Sequence, residues 1–121
     1  MKVDLGIVIV NYNVRDLLRD CLASVYDSRG DFRFEVCVVD NGSADGSADM
    51  VADEFPGVRL IRAENRGYAV GNNLGFREFG FDERGASPTA PRFVLLLNPD
   101  TVLPSPAGCG DVHSVPEGAW V

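Results

Sequence analysis

The sequence is short of basic residues, of histidine and of long apolar runs, and each shortage removes a class of function. Lys and Arg number 11 against 18 Asp and Glu, for a formal charge of −7. A phosphate-tracking nucleic-acid binder needs clustered cations, so no nucleic-acid partner is expected. The single histidine, His113, lies in an aperiodic stretch and builds no Ser/His/Asp or Cys/His pairing. Cys21, Cys37 and Cys109 are odd in number and widely spaced, which makes neither a disulfide framework nor a CxxC metal knuckle. Cys21 and Cys37 sit inside apolar patterns and read as small buried thiols. No apolar run approaches the roughly 20 residues that span a bilayer, so no transmembrane segment is expected. Asp4 and the polar Asn11-Tyr12-Asn13 interrupt the first apolar run, which removes the signal-peptide shape. A reducing, cytoplasmic setting is therefore expected. Neither GxGxxG nor GxxxxGK[ST] occurs, against a dehydrogenase or a P-loop nucleotidase.

What is present is an alternation of strand and helix signals within 121 residues, enough for one domain. Leu5 to Val10 (LGIVIV) is a continuous β-branched run, the mark of a strand buried on both faces. Asn13 is placed as an N-cap, with Asp16 at the positive helix end. Val14, Leu17, Leu18, Cys21, Leu22 and Val25 follow at helical spacing on one face, with Gly30 as a stop. Phe34 to Val39 is a second strand, and Ser43 or Asp45 caps a helix carrying Met50, Val51 and Phe55, closed by Pro56-Gly57. Val58 to Ile61 is a third strand, about Tyr68 to Phe79 a third helix, Gly80 to Pro91 a loop, and Arg92 to Leu97 a fourth strand. Such alternation predicts an α/β, Rossmann-like, doubly wound, mostly parallel sheet with right-handed crossovers. Residues 1–104 form the expected domain, and Pro- and Gly-rich residues 105–121 an irregular tail.

Each strand ends in a polar cluster: Asn11-Tyr12-Asn13, Asp40-Asn41-Gly42-Ser43, Glu64-Asn65-Arg66-Gly67 and Asn98-Pro99-Asp100. Ligands of open α/β sheets bind outside the carboxyl ends of the strands, so these clusters are expected to meet along one edge. Taken singly, each residue has two readings. Asp40 accepts from a ribose or base, or it shapes an Asx-type turn with Asn41-Gly42. Asp100 holds a hard cation, or it faces water in a turn set by Pro99. Tyr12 stacks on a base or is structural. Arg66 pairs with phosphate or is solvated. Asn72 and Asn73 reach a ligand or bond to neighbouring loops. Gly67, Gly71 and Gly75, spaced by four, imply close backbone approach on one helical face, to packing or to a ligand.

As an ordered set, IVIVNYN (7–13), VVDNGSADGS (38–47), NRGYAVGNN (65–73) and LLLNPDT (95–101) resemble family 2 glycosyltransferases of the GT-A fold, rhamnosyltransferase-like in the Asn-Pro-Asp version. The resemblance covers about residues 3–104 and implies the N-terminal nucleotide-binding half of that fold. It implies that Asn11, Tyr12, Asn13, Asp40, Asn65, Arg66, Gly67, Asn72 and Asn98 bind a nucleotide-diphosphate sugar, dTDP- or UDP-linked. Tyr12 and Asp40 would lie at base and ribose. Asp100, in the place of the Asp-x-Asp motif, is the implied ligand of Mg²⁺ or Mn²⁺; Asn98 leaves one carboxylate where the motif has two. The implied reaction moves a sugar, rhamnose by this likeness, to a glycan or lipid-linked acceptor in cell-wall or polysaccharide synthesis, at the inner face of the membrane in some relatives. The family's domain continues well past this motif, so the chain is expected to be a truncated or frame-shifted member that keeps the donor half. The catalytic base is expected in the absent half; Asp111 and Glu117 lie in the tail. A non-catalytic nucleotide-binding module, or an inactive gene remnant, is the alternative.

Overall fold

The computed structural model of the protein describes residues 4–28, 33–82, 84–103 and 119–120. Strand β1 (Leu5–Asn11) leads through helix α1 (Arg15–Asp27) to β2 (Phe34–Asp40), then through α2 (Ser47–Glu54) to β3 (Arg59–Arg62). Helix α3 (Tyr68–Glu78) follows, then a small hairpin β4 (Phe81–Asp82) and β5 (Gly85–Ala86), then β6 (Phe93–Leu97) and β7 (Ala119–Trp120). The main sheet runs β3-β2-β1-β6-β7. β3, β2, β1 and β6 are mutually parallel, and β7 is antiparallel to β6. After β3 the chain returns across the sheet to lay β6 on the other side of β1. The topological switch point therefore lies between β1 and β6.

The uninterrupted apolar character of β1 and β2 reflects burial on two faces. Ile7, Ile9, Val36 and Val38 pack with Leu18, Cys21, Leu22 and Val25 of α1 and with Met50 and Val51 of α2. Val8, Val10, Cys37 and Val39 point the other way, into a second core with Leu74 and Phe76 of α3 and the Phe79 that ends it. Burial pushes the Cys21 and Cys37 thiols up to about 12, the former helped by the charge of Asp100 and the latter by that of Glu78.

Helix α3 lies close on β1 because two of its residues have no side chain. A Cβ on Gly71 would stand 2.8 Å from Cγ1 of Val10, and one on Gly75 would overlap Cγ1 of Val8. Gly67 does not share that face. It precedes the helix at φ 96°, a left-handed backbone that glycine adopts without steric cost, and a Cβ there would meet nothing within 4 Å.

Several local expectations are corrected. Asn13 does not cap α1. It sits at φ 53° and turns its Oδ1 to the Ala44 N–H at 2.7 Å, while Val14 occupies the N-cap position with no side-chain bond. The cap comes from far along the chain, as Asp45 Oδ2 accepts the Arg15 N–H at 2.9 Å. Leu17 stands at the edge of the apolar stripe and is 47% exposed. The third strand begins one residue later, at Arg59, because Val58 packs into the core while its N–H closes a turn on the Phe55 carbonyl. The stretch expected as a loop contains β4 and β5, paired as Phe81 with Ala86 and Asp82 with Gly85. Within the expected irregular tail, Ala119–Trp120 pairs with Leu96 and Leu97. Gly30, Cys109, Asp111, His113 and Glu117 lie outside the described residues.

The Asp45 carboxylate spans two helix starts, which gives it a testable pH signature. Oδ2 accepts from Arg15, while Oδ1 accepts the Ser47 N–H at 3.0 Å and the Ser47 hydroxyl. Burial alone would raise this carboxyl, but the bonds from Ser47 and Arg15 outweigh it and hold it below the ordinary range. A group depressed in the folded state contributes stability above its unfolded pKa, roughly 3.9, and loses that contribution as pH falls through the folded value. Asp45→Asn is therefore expected to lower the urea midpoint at pH 6, with the gap to wild type closing below about pH 3.5. A gap that stays constant with pH would show that the charge does not act there.

Candidate functional site

The parallel register sets the site. Asn11 pairs with Asp40, and Asp40 with Arg62, so the last residues of β1, β2 and β3 stand level at one edge. Side chains alternate across a strand. Asn11 and Asp40 therefore share the face of Ile9 and Val38, toward α1 and α2, whereas Asn41 falls on the α3 face.

On the first face Asn11 and Asp40 are 0% and 4% exposed and form a polar knot with Ser43. Asp40 Oδ1 accepts from Asn11 Nδ2 at 3.1 Å and from Ser43 Oγ at 2.6 Å, and Oδ2 accepts the Ser43 N–H at 3.0 Å. The Ser43 hydroxyl in turn accepts the Asn13 N–H at 2.9 Å. Asp40 thus shapes its own loop, as the turn reading held, while Oδ2 keeps acceptor capacity beyond its one donor. Asn11 Oδ1 is buried with no hydrogen-bond partner. An orphaned buried acceptor costs about 1–3 kcal/mol, which a ligand N–H or an ordered water would relieve.

On the second face the start of α3 bridges the switch point. Asn41 Nδ2 donates to the Gly67 carbonyl at 3.4 Å, and the Tyr68 hydroxyl donates to Asn98 Oδ1 at 3.4 Å. Helix α3 therefore ties the end of β2 to the segment that follows β6. Asn72, one turn beyond Tyr68, is buried with its Oδ1 unpartnered. Beyond Asn98, the Thr101 N–H donates to the Asn98 carbonyl at 3.0 Å and closes a turn that leaves Asp100 exposed.

The structure thus gathers Asn11, Asp40, Gly67 and Asn98 through direct bonds or one intermediary, with Asp100 in the same turn as Asn98. Tyr12 lies beside them and is 51% exposed, while the Asn13 side chain accepts the Ala44 N–H and its own N–H donates to the Ser43 hydroxyl. Two expected residues are not drawn in. Arg66 is exposed and pairs with its neighbour Glu64 at 3.3 Å, and Asn65 Oδ1 accepts the Gly67 N–H at 3.1 Å in a local turn. Sequence reading placed Asn41 and Ser43 in a strand-end cluster on this edge without giving either a role of its own, and left Tyr68 out. The three-residue step from Asp40 to Ser43 and the strand parity of Asn41 were available signals. The Tyr68–Asn98 bond had none, because it joins residues 30 apart.

Among the described residues no group of three or more His, Cys, Asp or Glu is placed to hold a metal. The donors that β6 presents, the Asp100 carboxylate and the Asn98 amide oxygen, are hard oxygens. They fit an Mg²⁺- or Mn²⁺-type ion that completes its shell with a ligand's phosphates and water, and they do not fit an all-protein cage.

Comparisons with known proteins agree with this fold. The chain is 38% identical over 75 residues to the glycosyltransferase YfnE of Bacillus subtilis (strain 168), covering 60% of this chain and 19% of that protein. It is 31% identical over 74 residues to the glycosyltransferase YibD of Escherichia coli (strain K12), covering 59% and 21%. The chain thus spans about a fifth of the length of these curated relatives. In fold it is similar to the mannosyltransferase PcManGT from Pyrobaculum calidifontis, solved in complex with GDP-Man and Mn²⁺, at TM-score 0.63, 24% identity, 87% of this chain and 30% of that one. It is also similar to S. aureus TarS 1–349 in complex with UDP-GlcNAc, at TM-score 0.61, 22% identity, 82% and 27%. The family model described as Glycosyl transferase family 2 matches residues 6–105. With four ordered motifs on one sheet edge and that match across most of its length, the chain belongs to glycosyl transferase family 2.

Proposed function

We propose that the C-terminal edge of the sheet binds a nucleotide-diphosphate sugar, and that the chain serves as the donor-binding half of a glycosyltransferase. The observation that carries this reading is the convergence of strand-end polar residues on both sides of the β1/β6 switch point, with Asp40 on one side and Asp100 on the other. The exposed Tyr12 ring offers a stacking surface for the base, and the orphaned Asn11 Oδ1 beside Asp40 offers an acceptor for a base N–H or a ribose hydroxyl. Asn98, Asp100 and Asn72 would face the diphosphate and sugar. The structural neighbours solved with UDP-GlcNAc, or with GDP-Man and Mn²⁺, support the ligand class.

In the full reaction an acceptor hydroxyl attacks the anomeric carbon, the bond from that carbon to the diphosphate oxygen breaks, and a base takes the hydroxyl proton. A divalent ion held by Asp100, with Asn98 beside it, would neutralise the departing diphosphate when bound. The chain's own residues fix the donor: the Asn11–Asp40–Ser43 knot shapes the base end, and the Tyr68–Asn98 bond holds the phosphate end. Within this reading the donor is a dTDP- or UDP-sugar, rhamnose by the family likeness, and the acceptor a glycan or a lipid-linked glycan. Among the described residues no helix is long and apolar enough to cross a membrane, which fits a cytoplasmic or membrane-peripheral site.

Calorimetric titration of dTDP and UDP, each with Mn²⁺ and with EDTA, tests this. Binding of at least one nucleotide is expected, tightened by Mn²⁺, with the tightening removed by Asp100→Ala. No binding of either nucleotide in the presence of metal would overturn the reading. Metal-dependent release of nucleotide from the corresponding sugar donor separates a catalytic chain from a binding module.

A further inference from the structure

The turn that presents Asp100 is anchored from beneath by a helix with no other part in the site. Ser24, half-buried on α1, accepts the Leu103 N–H on its hydroxyl oxygen at 2.9 Å, from a residue 79 positions away. The same hydroxyl donates to the Cys21 carbonyl at 2.7 Å, an ordinary helical back-bond that orients its lone pairs outward. One turn earlier, the Cys21 thiol donates to the Asn98 carbonyl at 3.7 Å. That carbonyl already accepts the Thr101 N–H, and on the opposite face the Asn98 side chain accepts from Tyr68. The segment is thus fixed at residue 98 and again at residue 103. Asp100 projects between these anchors with its carboxylate in solvent.

We propose that Ser24 is a positioning residue for the Asp100 site: its hydroxyl sets the height of the 98–103 segment so that Asp100 meets a divalent cation shared with the donor's diphosphate. This inference rests on the donor-binding reading above. A single carboxylate has little affinity for such an ion unless it is held where the phosphates arrive. A segment freed at residue 103 must be ordered at the moment of binding, and that cost appears as lost affinity. Ser24 touches neither nucleotide nor metal, so its effect is confined to the metal-dependent part of binding.

The test compares UDP affinity in Mn²⁺ with that in EDTA for the full chain. Ser24→Ala is expected to shrink the Mn²⁺-dependent gain by about three- to tenfold, the worth of one net hydrogen bond, and to change the EDTA affinity less than twofold. Ser24→Thr, which keeps the hydroxyl, restores the gain. Amide hydrogen exchange at Leu103 is expected to speed up in the alanine variant and not in the threonine variant. Should Ser24→Ala fail to fold, Cys21→Ala releases the second anchor and is expected to shrink the same gain. Wild-type protein that gains from Mn²⁺ while Ser24→Ala gains equally overturns the positioning role alone. Wild-type protein that binds no nucleotide overturns the donor reading, and this inference with it.

Discussion

Gly75→Ala is expected to destabilise the protein by about 2–3 kcal/mol, although alanine is the better helix former by roughly 1 kcal/mol. The added methyl would overlap Cγ1 of Val8 and stand 3.0 Å from its Cγ2. Val8 cannot retreat, since it is 1% exposed in the central strand and paired on both sides. The helix must therefore lift, and lifting it loosens the contacts of Leu74 and Phe76 with the sheet and of Phe79 beneath its end. The lost packing outweighs the propensity gain, because interiors at native density give up several close contacts for each half-ångström of separation. Asn73→Ala, exposed on the same helix, is the control and is expected to gain a few tenths of a kcal/mol from propensity alone. Urea unfolding of the two variants beside wild type measures both. Equal stability of Gly75→Ala and wild type would show that this glycine does not set the distance between helix and sheet. Since α3 also carries Tyr68 over Asn98, the same lift is expected to weaken nucleotide binding.

How far the fold was legible depended on whether its cause was local. β1 and β2 announced themselves because strands whose centres are buried on two faces carry continuous apolar runs, and β6 by its five apolar residues, although it is only partly buried; that pattern survives without knowledge of neighbours. The parallel, doubly wound sheet followed from the alternation of strands and helices, and the expected meeting of polar strand ends from parallel strands finishing at one edge, whereas the strand order had no local signal. Features made by distant partners left no local trace. Asn13 has the right chemistry and position for a cap, yet Asp45 supplies it from 30 residues away, because the loop after β2 packs beside the start of α1. Leu17 fits the helical spacing but stands at the edge of a stripe whose width only α2 and the sheet determine. Two of the three spaced glycines were explained by packing, as their period implied, and the third by backbone angle, which spacing alone does not separate. The β4–β5 hairpin is two residues per strand, too short for any alternation to register. Ser24 read as an unremarked helical serine, since its partner lies at the far end of the described domain.

Asp40→Ala is expected to cost about 3 kcal/mol, the largest loss among single substitutions at the sheet edge. Three donors converge on this carboxylate, and one of them belongs to the fully buried Asn11. Bonds to a charged acceptor are worth about 1.5–3 kcal/mol each, but removing the acceptor also relieves the burial of a charge, so the losses do not sum. What remains is the penalty of buried donors without acceptors, with the Asn11 amide left to a 3.3 Å contact with Ser43 Oγ. Asp40→Asn keeps the volume and one acceptor oxygen but sets an amide against the Ser43 N–H, and about half that loss is expected. Asn is the more useful variant for function, since it leaves most molecules folded. Its affinity for UDP, corrected for the folded fraction, is expected to fall about tenfold, because the 41–43 loop loses its anchor and a ligand N–H or hydroxyl loses a charged acceptor. Chemical denaturation and calorimetry on the same preparation separate the two effects. A loss of stability with unchanged nucleotide affinity would confine Asp40 to shaping its turn and leave recognition of the base to Tyr12 and Asn11. An unchanged stability would mean that the buried knot of Asn11, Asp40 and Ser43 does not hold this edge together, and the site would then need another scaffold.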